Sequence, residues 1–387
     1  MTVPIAYNLR NLLARKVTTL LAAGGIALVV VIYTSVLMLG HGFRDTLVST
    51  GSPENAIVLR SGANAELVSS IDREQAAIIK TQAEVAAAAD GAPLGAAELI
   101  AILSLPRRST GLTSNVVVRG VGPESLAMRP ARIVEGRAWQ PGVSEVIAGR
   151  LIAAEFRGCE VGGTVRMGGR DWKVVGIFEA GGTGFESEIW GDVDQIMAAI
   201  RRPTYSSVTV RLTDPGAFAS FKERLEEDPR FNVQVRSERE WYEEQSRQIA
   251  LFIYILGIFV SVVFSLAAVL AAMLTMFATI GARTAEIGTL RALGFSRRSI
   301  LLSFVVESTI LGLAGGVLGV LPGFLLERLS FSTTNWASFS EVVWRLSLDP
   351  FIVLSALLFA AVMGLLGGLL PAVRAARVPI TDAIREG

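Results

Sequence analysis

Four long stretches of this chain carry almost no charge, and their placement limits what the chain can fold into. One covers residues 17–40. About two hundred mixed residues follow. Three more stretches crowd the last third, at 249–282, 300–326 and 350–373, and only Glu307 interrupts the 300–326 run. A bilayer core about 30 Å thick is crossed by roughly 20 apolar residues in a helix, and each stretch reaches that length. The pattern predicts an α-helical membrane region of four helices, one plus three, with an α+β domain inserted between helices 1 and 2.

Composition agrees. The chain is 51% hydrophobic, with a mean hydropathy of +0.50, as expected of a mixed membrane and extramembrane architecture. A net charge of +1 provides no field to recruit nucleic acid. The single cysteine, Cys159, excludes an intrachain disulfide and reads as a small packed or surface residue. The single histidine, His41, excludes a histidine metal cluster and reads as interfacial. No GxxxxGK[ST] occurs, nor even a Gly-Lys pair, so the chain holds no Walker-type ATP site. No set of residues suggests catalysis, a metal or a bound cofactor. The first apolar run outlasts a signal-peptide core of roughly 7 to 15 residues and reads as a retained anchor.

Basic residues set the expected orientation. Arg10, Arg15 and Lys16 precede the first run. Arg283, Arg291, Arg297 and Arg298 lie between the second and third, with Glu286 the only acid there. Arg374, Arg377 and Arg385 follow the fourth. The segment between the third and fourth runs mixes Glu327, Arg328, Glu341, Arg345 and Asp349. The positive-inside rule then places both termini and the 283–299 loop in the cytoplasm and turns the 44–237 domain outward.

Helix-forming residues from 238 onward join the second run, so a continuous helix over 238–282 is predicted, more than about 60 Å long at 1.5 Å per residue. Such a stalk rises well clear of a bilayer. Small residues mark two of the other spans. Gly315, Gly319 and Gly323 recur at every fourth position, and Gly364 and Gly368 repeat the spacing; such stripes let helices approach closely in lipid. An intramembrane acid such as Glu307 takes a partner or a role, although its place about two turns from the cytoplasmic end also leaves it near water.

In the inserted domain, NVVVRGV (115–121), SVTVRL (207–212) and FNVQVR (231–236) read as strands. VRM and DWKVVGIF around Gly168-Gly169 read as a hairpin. Residues 214–227 read as a helix with Asp214 as N-cap and Pro215 at its first position. Residues 72–90 are helical by propensity. The domain's Asp and Glu residues read as an ordinary solvated surface.

The loop RTAEIGTLRALGFSRRS (283–299) forms a short amphipathic helix, with Gly294 suited to cap its end and Ser296 to start the next helix. It is either a surface connector or a knob for a partner protein. Here the sequence resembles a known family. EIGTLRALGFSRRSI is similar to the coupling-helix segment of MacB/FtsX-like permeases of ABC transporters. AYNLRNLLARKVTTLLAAGGIAL resembles that family's amphipathic lead helix and first span. IVEGRAWQPGVSEVIAGRLIAAEF and VGGTVRMGGRDWKVVGIFEAGG resemble its periplasmic core domain, and PAVRAARVPITDAIREG its closing signature.

The resemblance implies a non-catalytic permease of the bacterial inner membrane. It is expected to pair with a second copy or a related permease and to recruit two copies of a separate ABC ATPase, which bind the ATP and Mg. A periplasmic adaptor and an outer-membrane channel are possible further partners, beside membrane lipids. MacB itself carries a fused ATPase, whereas this chain opens almost at the first span, as in LolC- and DevC-type permeases. By the same carry-over Glu286, Ile287, Leu290, Arg291, Leu293 and Gly294 dock the ATPase, and Arg374, Arg377 and Arg385 brace that contact. The implied work is export or extraction of a hydrophobic or bulky substrate. The alternative is an FtsX-like signalling role that activates a cell-wall hydrolase. The implied division of the chain is a lead helix (1–16), first span (17–43), periplasmic core (44–237), stalk and second span (238–282), coupling helix (283–299), third span (300–326), periplasmic loop (327–349), fourth span (350–373) and cytoplasmic end (374–387).

Overall fold

A computed structural model describes residues 16–327, 329–335 and 340–378. The expected lead helix (apart from Lys16), Arg328 and the end of the chain from 379, Arg385 included, lie outside the described residues. The elements in chain order are α1 (Lys16–Val48), β1 (Asn55–Arg60), α2 (Arg73–Lys80), β2 (Gly95–Pro106), β3 (Thr113–Val121), α3 (Pro123–Met128), β4 (Arg132–Gly136) and β5 (Glu145–Gly149). Then follow α4 (Arg150–Glu155), β6 (Thr164–Met167), β7 (Arg170–Glu179), β8 (Glu188–Asp192), α5 (Val193–Ile200), β9 (Ser207–Arg211), α6 (Phe218–Glu227) and β10 (Val233–Ser237). The last part holds α7 (Glu238–Gly281), α8 (Thr284–Ala292), α9 (Arg297–Leu326), β11 (Ser330–Asn335), β12 (Ser340–Arg345) and α10 (Pro350–Arg377). The chain divides into two compact units. One comprises Met1–Gly42, Ala250–Leu329 and Leu346–Gly387; the other comprises Phe43–Ile249 and Ser330–Arg345.

The first unit is helical. Helices α1, α7, α9 and α10 are each long and apolar enough to cross a membrane. Glycine lets α9 pack on two sides. A Cβ at Gly315 would lie 2.7 Å from the Ala23 carbonyl oxygen of α1, and one at Gly319 would lie 2.6 Å from Val30 Cβ. On another side, a Cβ at Gly312 would meet Gly364 Cα of α10 at 2.9 Å, and Gly316 would meet Ala360 Cβ at 2.7 Å. Gly368 abuts the Ser308 side chain. Gly323 differs: its nearest neighbours, on Leu348 and Met38, would sit at 3.4 Å, ordinary van der Waals contact. Where lipid supplies no hydrophobic drive between helices, this backbone approach replaces it with dispersion contact.

His41 is more than an interfacial residue. Its Nδ1 lies 3.0 Å from Asp349 Oδ2, while Asp349 Oδ1 caps α10 by accepting the Ile352 N–H at 2.7 Å. One carboxylate therefore both starts the fourth span and ties it to the first. Helix α7 turns a long row of half- to three-quarters-exposed side chains outward, among them Phe252, Ile255, Phe259, Leu266, Leu270 and Leu274. In a bilayer such a row meets lipid or another helix.

The second unit is the inserted domain. Its sheet runs β10-β1-β9-β2-β3-β8-β5-β7-β4, with β6 on β7. Strand β1 is flanked antiparallel by β9 and β10, so the strand-helix-strand run β9-α6-β10 straddles an earlier strand. Alternation buries both faces of β1. Ala56 and Val58 join a core with Ile79, Phe221 and Leu225 from α2 and α6, while Ile57 and Leu59 join another with Trp139, Phe178, Trp190, Trp241 and Tyr242. The hairpin at Gly168-Gly169 forms as expected: Met167 pairs with Arg170, and both glycines have positive φ, the geometry of a two-residue turn.

Three expectations change. Helix α2 stops at Lys80 rather than continuing to 90. Beyond it Val85 bridges Leu212 and the Ala86 N–H donates to the Arg211 carbonyl at 2.8 Å, so pairing to the sheet overrides alanine's helical preference. Asp214 makes no capping bond; a 3₁₀ turn at Pro215–Ala217 precedes α6. The 327–349 segment is not a plain loop but holds the β11–β12 hairpin. That hairpin packs on the domain. Ser187 Oγ accepts the Val343 N–H at 2.9 Å, Arg107 donates to Ser332 Oγ at 2.6 Å, and Trp344 is buried with its ring 6.0 Å from Phe43.

Candidate functional site: the coupling segment and the stalk joint

Two places stand out, one at each end of α7. Past its C-terminal end, Ala282 and Arg283 lead into α8. Gly294, at φ +96°, ends that segment, and Ser296 Oγ then caps α9 by accepting the Ser299 N–H at 3.2 Å. The six residues expected to dock a partner separate into two groups. Glu286 and Leu293 are exposed at 54% and 68%, and Gly294 is exposed beside them. Ile287, at 2%, is buried among Met276, Ile280, Ile300, Phe304, Ala372 and Ala375, with Leu290 packed against the same cluster. Arg291 turns to the end of the fourth span and donates to the Val378 carbonyl at 3.0 Å, where a cation complements the helix's terminal carbonyls. Ile287 therefore anchors α8 instead of facing outward, and Leu290 and Arg291 share in that anchoring. The reason is geometric: a short helix laid against a bundle must spend one side on it. Of the bracing arginines, Arg374 stacks over the Phe277 ring at 5.6 Å and Arg377 is exposed.

Glu307 does not reach the surface. It is buried, and both its oxygens accept from Arg283 Nη1, at 3.2 and 3.4 Å.

At the other end, α7 begins inside a buried ionic cluster, and here the reading of the domain's acids as solvated surface fails. Glu238, the first residue of α7, is fully buried. Its Oε2 accepts the Ser52 N–H at 3.0 Å and Asn55 Nδ2 at 2.8 Å, and its Oε1 takes Arg129 Nη2 at 3.3 Å. Arg129 forks onto Glu98 at 2.6 and 2.8 Å. Arg119, in β3, donates to Glu98 at 2.9 Å, to Glu66 at 3.0 Å and to Glu188 at 2.7 and 2.8 Å. Trp190 Nε1 donates to Glu188 at 2.7 Å, Ser125 Oγ to Glu98 at 3.0 Å and Ser207 Oγ to Glu66 at 2.8 Å. Burial alone drives a carboxyl upward; at Glu98 the Arg129 and Arg119 guanidiniums outweigh it and hold the group below its usual range. Burial likewise works against both arginines, and the surrounding carboxylates raise them above their ordinary value. The α7 N-terminus adds its own partial positive charge beside Glu238.

Four acids and two arginines thus join β2, β3, β8, the turn after α3, and the start of α7. The sequence offered one cue: Glu98 and Arg119 interrupt otherwise apolar strands, GAAELIAIL and NVVVRGV. Cys159 is buried; burial, with Glu160 adjacent, pushes its thiol up to about 12.

Helices of membrane-spanning length, an inserted mixed sheet and one long helix that contributes residues to both units define a membrane-anchored architecture. Comparison with known families agrees. The model described as MacB-like periplasmic core domain matches residues 19–228, and that described as FtsX-like permease C-terminal matches residues 258–380. The chain belongs to the MacB/FtsX-like family of ABC transporter permeases. These are multi-pass subunits of the inner membrane that carry a periplasmic domain and are generally non-catalytic.

Among relatives, the uncharacterized ABC transporter permease YvrN of Bacillus subtilis (strain 168) is 36% identical over 115 residues, 28% of this chain and 25% of that protein. The macrolide export ATP-binding/permease protein MacB of Bdellovibrio bacteriovorus is 24% identical over 408 residues, 97% of this chain and 60% of that protein. The chain thus spans less than two thirds of the length of either. The periplasmic region of MacB from Actinobacillus actinomycetemcomitans aligns at 14% identity with a TM-score of 0.37, covering 53% of this chain and 94% of that one.

Proposed function

We propose that this permease couples ATP hydrolysis by a partner ABC ATPase to motion of its periplasmic domain, and so drives export or extraction of a hydrophobic or bulky substrate. The single observation that carries this reading is α7. It is one unbroken helix of 44 residues, roughly 66 Å at 1.5 Å per residue. Its first residue is locked into the domain's ionic cluster, and its last lies two residues short of Arg283 at the head of the coupling segment. A helix is stiff along its axis, so displacement at one end is delivered at the other.

In this reading both termini and α8 are cytoplasmic. The exposed residues Glu286, Leu293 and Gly294 meet the ATPase, while Ile287, Leu290 and Arg291 hold α8 on the spans. Arg374, Arg377 and Arg385 brace the contact, and two permease copies work with two ATPase copies. ATP and Mg belong to the partner. The MacB relatives are named for macrolide export; for this chain the substrate class stays hydrophobic or bulky, of efflux, glycolipid or lipoprotein type.

The test is purification of the full chain from native membranes in mild detergent. A near-stoichiometric ATPase is expected, lost when Glu286→Lys and Arg291→Glu are combined. Retention of the ATPase and of its stimulated hydrolysis in that double variant would sink the docking assignment. A co-purifying peptidoglycan hydrolase in place of an adaptor would shift the reading to FtsX-like signalling.

A further inference from the structure

An exposed acid and a buried acid meet on one guanidinium. Arg283 Nε donates to Glu286 Oε2 at 3.1 Å, and Arg283 Nη1 donates to Glu307 Oε2 at 3.2 Å. The Arg283 side chain is 5% exposed, and its Cζ sits 5.2 Å over the Phe304 ring. The three residues belong to three elements. Arg283 lies in the joint between α7 and α8, Glu286 in the first turn of α8, and Glu307 about three turns into α9. Glu286 reaches the surface, whereas Glu307 is 4% exposed.

A guanidinium holds its donors in a rigid plane, so it cannot turn toward one carboxylate without changing its geometry at the other. Nor can the carboxylate inside α9 be left without positive charge, because an unpaired buried charge is strongly unfavourable. What happens to Glu286 at the surface is therefore felt at Glu307 within the span.

We propose that Arg283 is a positioning residue that relays the state of the docking face to the third span. This inference rests on reading α8 as the ATPase-docking segment. A cation of the ATPase that pairs with Glu286 draws that carboxylate from Arg283 Nε. The guanidinium then closes on Glu307, and the joint tightens against α9. Withdrawal of the partner restores the shared arrangement. Glu286 serves docking and relay together; Glu307 serves only the relay, so the two acids can be separated experimentally.

The chain is suited to a spectroscopic test because its one native thiol, Cys159, is buried. A nitroxide placed through Ala292→Cys, at an exposed site outside the docking residues, reports the mobility of the α8 end in full-length protein in nanodiscs, with and without the ATPase. Glu307→Gln is expected to narrow the resonance lines of the chain alone. It is expected to leave ATPase recovery and basal hydrolysis intact and to lower stimulated hydrolysis about tenfold, within the range of about 5- to 150-fold typical of coupling between sites. Arg283→Lys, which keeps the charge and loses the fork, is expected to uncouple as well. Glu307→Asp is expected to restore part of the stimulation, and it carries the test if the glutamine variant fails to fold.

Unchanged spectra and unchanged stimulation in Glu307→Gln would overturn the relay. So would loss of ATPase binding in a folded Glu307→Gln protein, since the residue would then act on docking itself. If the parent chain recovers no ATPase, the docking reading falls and takes the outer half of the relay with it, while the spectra still decide whether Glu307 holds α8.

Discussion

The two units hold themselves together by opposite means. The periplasmic domain locks the start of α7 with buried charge: Glu66, Glu98, Glu188 and Glu238 around Arg119 and Arg129. The helical unit draws its spans together where side chains are absent, with Gly312 against Gly364 and Gly315 and Gly319 against α1. The contrast follows from what surrounds each. A domain in water has a hydrophobic effect to stabilise its core and can accommodate the desolvation of an ionic cluster, provided every charge is hydrogen-bonded. Helices in lipid have no such drive, so close contact must supply it. The ionic arrangement is directional and holds Glu238, the first residue of α7, through Arg129, Asn55 and the Ser52 N–H. The glycine seams bring helix backbones together without directional bonds.

The largest expected effect tests the rigid end. Arg129→Ala leaves Glu98 and Glu238 short of a counter-charge and should destabilise the domain by about 3–5 kcal/mol. Hydrogen exchange over 117–130 and 233–242 should show it as early opening of β3 and of the start of α7. A loss confined to global unfolding, with no preferential opening there, would mean that the cluster does not hold the joint.

The seams should respond less. Gly364→Leu forces its side chain into the Gly312 backbone and should lower stability by about 1–3 kcal/mol, read as a fall in the melting temperature of detergent-solubilised protein. Gly323→Ala, with ordinary contact distances around it, should change it by less than about 0.5 kcal/mol. Equal effects at the two positions would erase the distinction drawn among the glycines.

The smallest effect is a pH dependence that sharpens the contrast. Glu98 is held below its usual range in the folded domain, so the unfolded chain binds its proton more readily. The stability it contributes is fully present above the unfolded-chain value of about 4.3 and is lost as pH falls through its lower folded value. Glu98→Gln should flatten that part of the domain's acid unfolding curve and leave the curve of the helical unit unmoved.

Much of the fold could be read directly. Apolar runs of bilayer length identify spans without any tertiary knowledge, because lipid leaves a chain few options. The Gly168-Gly169 hairpin and the Ser296 cap were legible for a similar reason: both are local bargains between a few neighbouring residues. Legibility failed where a residue's fate depends on distant partners. Residues 81–90 have helical propensity yet lie along the sheet through Val85 and Ala86. The domain's acids look alike in sequence, and only the fold sends Glu66, Glu98, Glu188 and Glu238 inward.

The sequence by itself determined that this is a four-span membrane protein with an inserted domain and one very long helix, since hydropathy over a bilayer's thickness and the length of an uninterrupted helix are properties of consecutive residues. Only the tertiary structure decided which side of α8 faces outward, that Glu307 and Glu286 share Arg283, and that α7 begins inside a charge cluster. Each of those depends on groups from separate elements arriving within about 3 Å of one another, and no spacing along the chain encodes that meeting.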